Sequence, residues 1–213
     1  MGTSAPDRSS IERSLWQTHN SSDKDIVLLE PAKFTPAELT ALVAEAISWL
    51  KRQREKFRPS GTPLDSIQKM NLLPFFIAEI LGRLRVVDLS GTGETIPYPP
   101  FYERVRAGGF RLVPDAAHMT AIPFIDVVVF NSEPTLRTIF HSLVHVTQYG
   151  VVGLETVMAC YFRVLNESGL WIVVPFEDQA YQMDARYTRN PADLFSVEGE
   201  VREWLRSGRY FKE

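Results

Sequence analysis

The sequence predicts an α+β fold, mainly helical, with one small β-sheet. Three observations predict it. Apolar residues recur at helical spacing over long stretches, as in Leu39, Leu42, Val43, Ile47 and Leu50. Strand character is confined to short runs, the strongest being Ile122–Phe130 (IPFIDVVVF), rich in β-branched and aromatic residues. Gly and Pro fall between these stretches, where connections belong.

The elements follow in order. Residues 1–24 are polar and read as a flexible arm, with a short helix over Ile11–Trp16, and Ile26–Leu29 as a short strand. Residues 25–213 then form a single domain. Thr35-Pro36 with Glu38 is an N-cap, a proline at the first helical position and a capping-box partner, so a helix runs from Pro36 to about Phe57. Its basic end, KRQREKFR, suits a solvated helix C-terminus. Asp65 caps a second helix from Ser66 to about Leu84, kinked at Pro74, whose stripe Leu72, Phe76, Ile80 and Leu84 faces the core. These two make an N-terminal helical pair over 36–84.

Leu84–Leu89 reads as a strand. The stretch SGTGETIPYPPFYERVRAGG is a loop with one short helix after Pro100, and its GTGE matches no phosphate-binding pattern. Phe110–Val113 is a possible strand, and Ile122–Phe130 is a single strong one. Ser132 caps the next helix, with Pro134 in its first turn, and Gly150 ends it. Further helices are expected over Leu154–Glu167, Pro175–Tyr187 and, opened by Asn190-Pro191, up to about Leu205. Leu170–Val174 is a short strand or loop.

Composition narrows the function classes. The chain has 213 residues, 45% of them hydrophobic and 23% charged, which supports a packed core. Its 23 basic and 26 acidic residues give a net charge of −3, which argues against a nucleic-acid partner. One cysteine, Cys160, excludes an intrachain disulfide and any zinc site built on several thiolates. No apolar stretch reaches the ~18 residues of a membrane span, and no apolar run follows the first charges. No membrane partner and a cytoplasmic location are therefore expected.

The chemistry is concentrated in FHSLVHVTQYG. His141 and His145 are four apart within a predicted helix, so both imidazoles lie on one face and reach a common ion. This segment resembles the zinc-binding helix of zincin metallopeptidases, H-E-x-x-H. More particularly, it looks like the small bacterial zincin-like domains that read HEL-x-HV-x-Q there. His141, Leu143, His145, Val146 and Gln148 keep that pattern, and Ser142 stands in place of the glutamate. In the gluzincin type a glutamate from a later helix completes the site, and PFEDQAY offers Glu177, followed by Ala180 and Tyr181. The resemblance thus implies a zincin-like core over residues 110–188, with zinc held by His141, His145 and Glu177.

Ser142 decides what such a site does. In a zincin the motif glutamate takes the proton from the metal-bound water, which contributes ~10²–10⁴ in rate. A serine hydroxyl is too weak a base near neutral pH. Metal binding is spared, since that glutamate is not a ligand. Glu133, Glu155 and Asp178 are the other acids to weigh as a base, and none stands at the position of the motif glutamate. Tyr181 and His118 are oxyanion candidates, each with a plain structural reading as a packed tyrosine and a loop histidine. Asp184, seven after Glu177, shares its helix face; its plain reading is a solvated position, and its functional one is to orient a ligand histidine. Three readings therefore share one fold: a degenerate zincin-like domain, metal-binding or formerly metal-binding, with little or no peptidase activity; an active metal-dependent hydrolase using another base; and a metal-free scaffold or binding module. A peptide or protein in the cleft is the expected partner of the first.

Overall fold

The computed structural model describes residues 33–110 and 113–211. The arm over residues 1–24, its short helix and the strand at residues 26–29 lie outside the described residues. So does the middle of the possible strand at residues 110–113, whose ends Phe110 and Val113 belong to no strand.

Helix α1 (Pro36–Phe57) starts as its sequence dictates. The Thr35 hydroxyl accepts from the Glu38 amide, and the Glu38 carboxylate accepts from the Thr35 amide at 2.8 Å. The expected second helix is two helices, α2 (Ser66–Leu72) and α3 (Ala78–Arg83). Pro74 breaks the segment rather than kinking it, because it has no N–H and its ring crowds the preceding turn. The break serves the packing. It turns Phe75 and Phe76 into the core, and the Phe75 carbonyl accepts the Val197 amide at 3.0 Å.

Strand β1 (Arg85–Asp88) leads to helix α4 (Tyr102–Ala107) and then to a hairpin where one strand was expected. Strands β2 (Ala121–Phe124) and β3 (Val127–Phe130) pair antiparallel, with Ile122 opposite Val129, and β1 joins β3 in parallel, giving the order β1-β3-β2. The turn residue Ile125 has φ +64°, a left-handed conformation costly for a β-branched side chain. Asp126 beside it compensates: Arg54 donates to both of its oxygens at 2.5 and 3.0 Å, and Arg58 to one at 3.1 Å. Burial raises the Asp126 pKa, and the two guanidiniums outweigh it, so the carboxylate stays below its usual range. Asp126→Ala is expected to cost about 2 kcal/mol in urea unfolding, the range for hydrogen bonds to charged groups. A loss below about 0.5 kcal/mol would mean the clamp is solvated.

Helix α5 (Leu136–Val152) is capped by Thr135, not Ser132, and runs past Gly150 to Gly153. Pro134 therefore precedes the cap instead of lying in the first turn, and the Thr135 hydroxyl accepts from the Thr138 amide at 3.2 Å. Gly150 costs the helix about 1 kcal/mol, which packing absorbs. At Gly153 φ is +92°, a value open to glycine, and there the helix stops. Helix α6 (Leu154–Ser168) ends on Gly169 in the left-handed region, as expected. A single 3₁₀ turn occupies Trp171–Val173, so that segment is neither strand nor plain loop. Helix α7 spans Pro175–Arg189. Asn190-Pro191 opens a loop rather than a helix, and Ser196 caps helix α8 (Val197–Arg206).

The architecture is α+β: eight α-helices among the described residues and one three-stranded mixed sheet. The sheet lies between two apolar clusters, and β3, buried along its length, alternates between them. Val128 and Phe130 join α5, α7, α8 and the 72–84 segment, whereas Val127 and Val129 join α1. Helix α6 serves both, with Val157, Cys160 and Val164 on one side and Phe162 and Leu165 on the other. No helix among the described residues is long and apolar enough to cross a membrane.

Candidate metal centre

Helix α5 is fixed by its apolar face. Ile139, Phe140, Leu143 and Val144 are fully buried, and this holds the opposite face, with His141 and His145, in one orientation. The two Nε2 atoms stand 3.2 Å apart. Glu177 enters from the first turn of α7, just after Pro175 at its N-terminus, where the helix dipole favours a carboxylate. Its Oε2 lies 3.6 Å from His145 Nε2 and 3.9 Å from His141 Nε2. Donors bound ~2.0–2.1 Å from a tetrahedral zinc ion stand about 3.3 Å apart. The imidazole pair already meets that requirement, and the carboxylate oxygen must come closer to His145 and His141 by about 0.3 and 0.6 Å.

Hydrogen bonds around the site fix which atoms face it. Gln148 donates through Nε2 to the Phe176 carbonyl at 3.0 Å and to Gln179 Oε1 at 3.0 Å, so its own Oε1 must face His145. That oxygen accepts from His145 Nδ1 at 2.9 Å. Gln179 is oriented in turn: its Nε2 donates to the Glu200 carbonyl, and its Oε1 also accepts from the Tyr210 hydroxyl. With its proton on Nδ1, neutral His145 presents a lone pair on Nε2, the form a metal requires. Glu177 Oε1 accepts from the Tyr161 hydroxyl at 2.5 Å, which leaves Oε2 for the imidazoles.

Asp184 is buried beside His141, with Oδ2 4.0 Å from Nδ1. Its carboxylate is held by three Arg137 contacts of 3.0–3.1 Å and by Thr188 at 3.2 Å. It thus approaches His141 without a hydrogen bond to it, and mainly ties α7 to α5. Tyr181 is 47% exposed and stands over the His141 ring, centroids 4.8 Å apart. His118 sits on an exposed turn, where Nδ1 meets Asp115 Oδ2 at 2.9 Å.

Tyr161, Arg137 and Gln179 are the site residues that sequence reasoning missed. Tyr161 lies on α6, between the two motif segments, and no spacing rule marks it. Gln148 was part of the quoted pattern, but its role depends on α7.

His141, Ser142, His145, Tyr161, Glu177, Tyr181, Asp184 and His118 all line one cavity of about 620 Å³. Ser142 is buried within it next to the imidazoles. Glu177 and Asp184 are the carboxylates among its described lining residues, and both are already engaged. Glu133, Glu155 and Asp178 are exposed and lie off the cavity.

Burial, and then the neighbouring His145, push the His141 pKa down to about 4. Burial also opposes a charge on His145, but Glu177 outweighs it and the net shift is upward from 6.5. Burial raises Glu177, and the two histidines and Tyr161 outweigh it, taking the carboxyl down to about 2. In the metal-free protein His145 therefore carries a proton at pH values below its raised pKa, and an ion must displace that proton. Metal uptake is expected to release one proton below that pKa and none above it. Affinity should climb about tenfold per pH unit until it levels off above 6.5. Calorimetry in buffers of different ionisation enthalpy measures this, and proton-free uptake at pH 6 would contradict it.

Comparison of the chain with protein-family models, curated proteins and solved structures finds no match.

Proposed function

We propose that this is a degenerate zincin-like protein, a metal-binding domain with little or no peptidase activity. The observation that carries the reading is the convergence of His141, His145 and Glu177, beside Ser142, in the wall of the cavity. Two imidazoles and a carboxylate are a donor set that suits zinc with a fourth position open. When bound there, zinc would polarise an oxygen ligand and acidify a water. The same donors also suit nickel, iron or cobalt, since selection depends on geometry and supply.

The chain's own residues account for the rest. Gln148 keeps the His145 lone pair turned inward, and Tyr161 holds Glu177 so that one oxygen remains for an ion. Among the described residues, what the cavity wall lacks is a carboxylate free to act as proton acceptor beside the metal donors. The Ser142 hydroxyl is too weak a base, and Asp184 is neutralised by Arg137. The exposed positions of Glu133, Glu155 and Asp178 weigh against a hydrolase that recruits another base. A cytoplasmic setting belongs to the same proposal, supported by a single cysteine that is buried and unpaired.

The test is metal analysis of protein purified without chelator, beside hydrolysis of a fluorogenic peptide set. One equivalent of a transition metal and no turnover above background are expected. Ser142→Glu should then gain metal-dependent turnover, since a general base contributes ~10²–10⁴. Less than roughly a tenth of an equivalent of metal would remove the metal reading. Strong wild-type turnover that disappears in His145→Ala would overturn the claim of lost catalysis.

A further inference from the structure

We propose that the cavity takes a small amphiphile with a single anionic oxygen head, a medium-chain carboxylate being the simplest member of the class. This rests on the metal reading above. At about 620 Å³ the cavity falls within the ~300–1,000 Å³ of sites that enclose small molecules. Its body is apolar and built from two helices packed together: Ala46, Trp49 and Leu50 from α1, and Met158, Phe162 and Leu165 from α6. Its ionised groups and metal donors come from two other helices, α5 and α7.

A formal charge count gives the sign of the head. Arg137 and Asp184 cancel through their paired contacts. With both imidazoles neutral, a divalent ion against Glu177 leaves one positive charge. An uncompensated charge beside apolar walls is unfavourable, and an anionic head neutralises it. The tail then removes apolar wall from water, which adds affinity with each methylene.

An extended peptide is the competing occupant, and the wall is poorly made for one. The strand bordering the cavity is β2, an edge strand whose outer side would have to pair with the peptide. Pro123 lies within this four-residue strand and lines the cavity, and it has no N–H to offer. A peptide would also bring backbone groups that apolar walls leave unpaired.

Calorimetric titration of the full chain tests the proposal. The probes are decanoate, decylamine and a blocked apolar pentapeptide, each with and without one equivalent of zinc, with bound metal measured in the same samples. Decanoate should bind one to one, at least tenfold tighter with zinc than without, and at least tenfold tighter than the amine. Ala46→Met and Met158→Trp each add bulk to the apolar wall, and each should weaken decanoate at least tenfold while bound metal stays at one equivalent. Absence of metal uptake overturns the metal reading and takes this proposal with it. Full metal uptake without decanoate binding overturns this proposal alone, as does equal binding of decylamine or tighter binding of the peptide.

Discussion

Replacing His145 by alanine is expected to abolish stoichiometric metal binding, and replacing Gln148 by leucine to weaken it about 10- to 100-fold. The difference follows from what each side chain supplies. His145 contributes one of three donors, and its Nε2 stands 3.2 and 3.6 Å from the other two. Gln148 supplies no donor. It accepts the Nδ1 proton and so keeps the lone pair on the metal side. Without it the ring is free to take the other tautomer or to turn. Competition against a chromogenic zinc chelator measures both variants. Wild-type affinity in His145→Ala would dissolve the site, and wild-type affinity in Gln148→Leu would remove the argument for a fixed tautomer.

Phe140→Ala should be the most damaging core change on the same helix, costing about 3–5 kcal/mol. Phe140 is fully buried and lies flat on Tyr187 with centroids 4.4 Å apart. It meets Phe76 edge-on at 5.0 Å and Phe75 at 5.5 Å, which ties α5 to both the proline break and α7. Truncation would leave a void among rings that cannot close it, because each is held by further contacts. Urea unfolding should show a midpoint lowered by more than about 1 M. A loss under about 1 kcal/mol would mean the aromatic cluster rearranges freely.

What was legible in the sequence was local. Thr35 with Glu38 and Asp65 with Gln68 mark helix starts because each box closes within one turn. The imidazole pair was legible for the same reason, since spacing alone puts His141 and His145 on one face. Ser132 and Thr135 are both competent caps on either side of Pro134, and neighbours beyond the segment choose between them. The hairpin was hidden because Ile125-Asp126 carries none of the Gly or Asn that usually marks such a turn. Its anchors, Arg54 and Arg58, sit some seventy residues earlier. Pro74 announced a disturbance but not its size, which the burial of Phe75 and Phe76 sets. Around the histidines, Tyr161, Arg137 and Gln179 come from three different helices, so no pattern along the chain could unite them.

The bonds that link Tyr210, Gln179, Gln148 and His145 converge on Gln179, whose Oε1 accepts from both the Tyr210 hydroxyl and Gln148 Nε2, while Gln148 Oε1 accepts from His145 Nδ1. A phenol gives its proton to an amide oxygen, an amide gives to an amide, and the imidazole gives to the last oxygen. Each amide is further pinned by a main-chain carbonyl, from Glu200 or Phe176, so neither can turn over without leaving a buried N–H unanswered. Tyr210, which does not line the cavity, thereby helps decide which nitrogen of a distant ring stays bare. Loss of that hydroxyl alone, as in Tyr210→Phe, would reach the centre through the hydrogen bonds, with the stack of the ring on Phe176 retained.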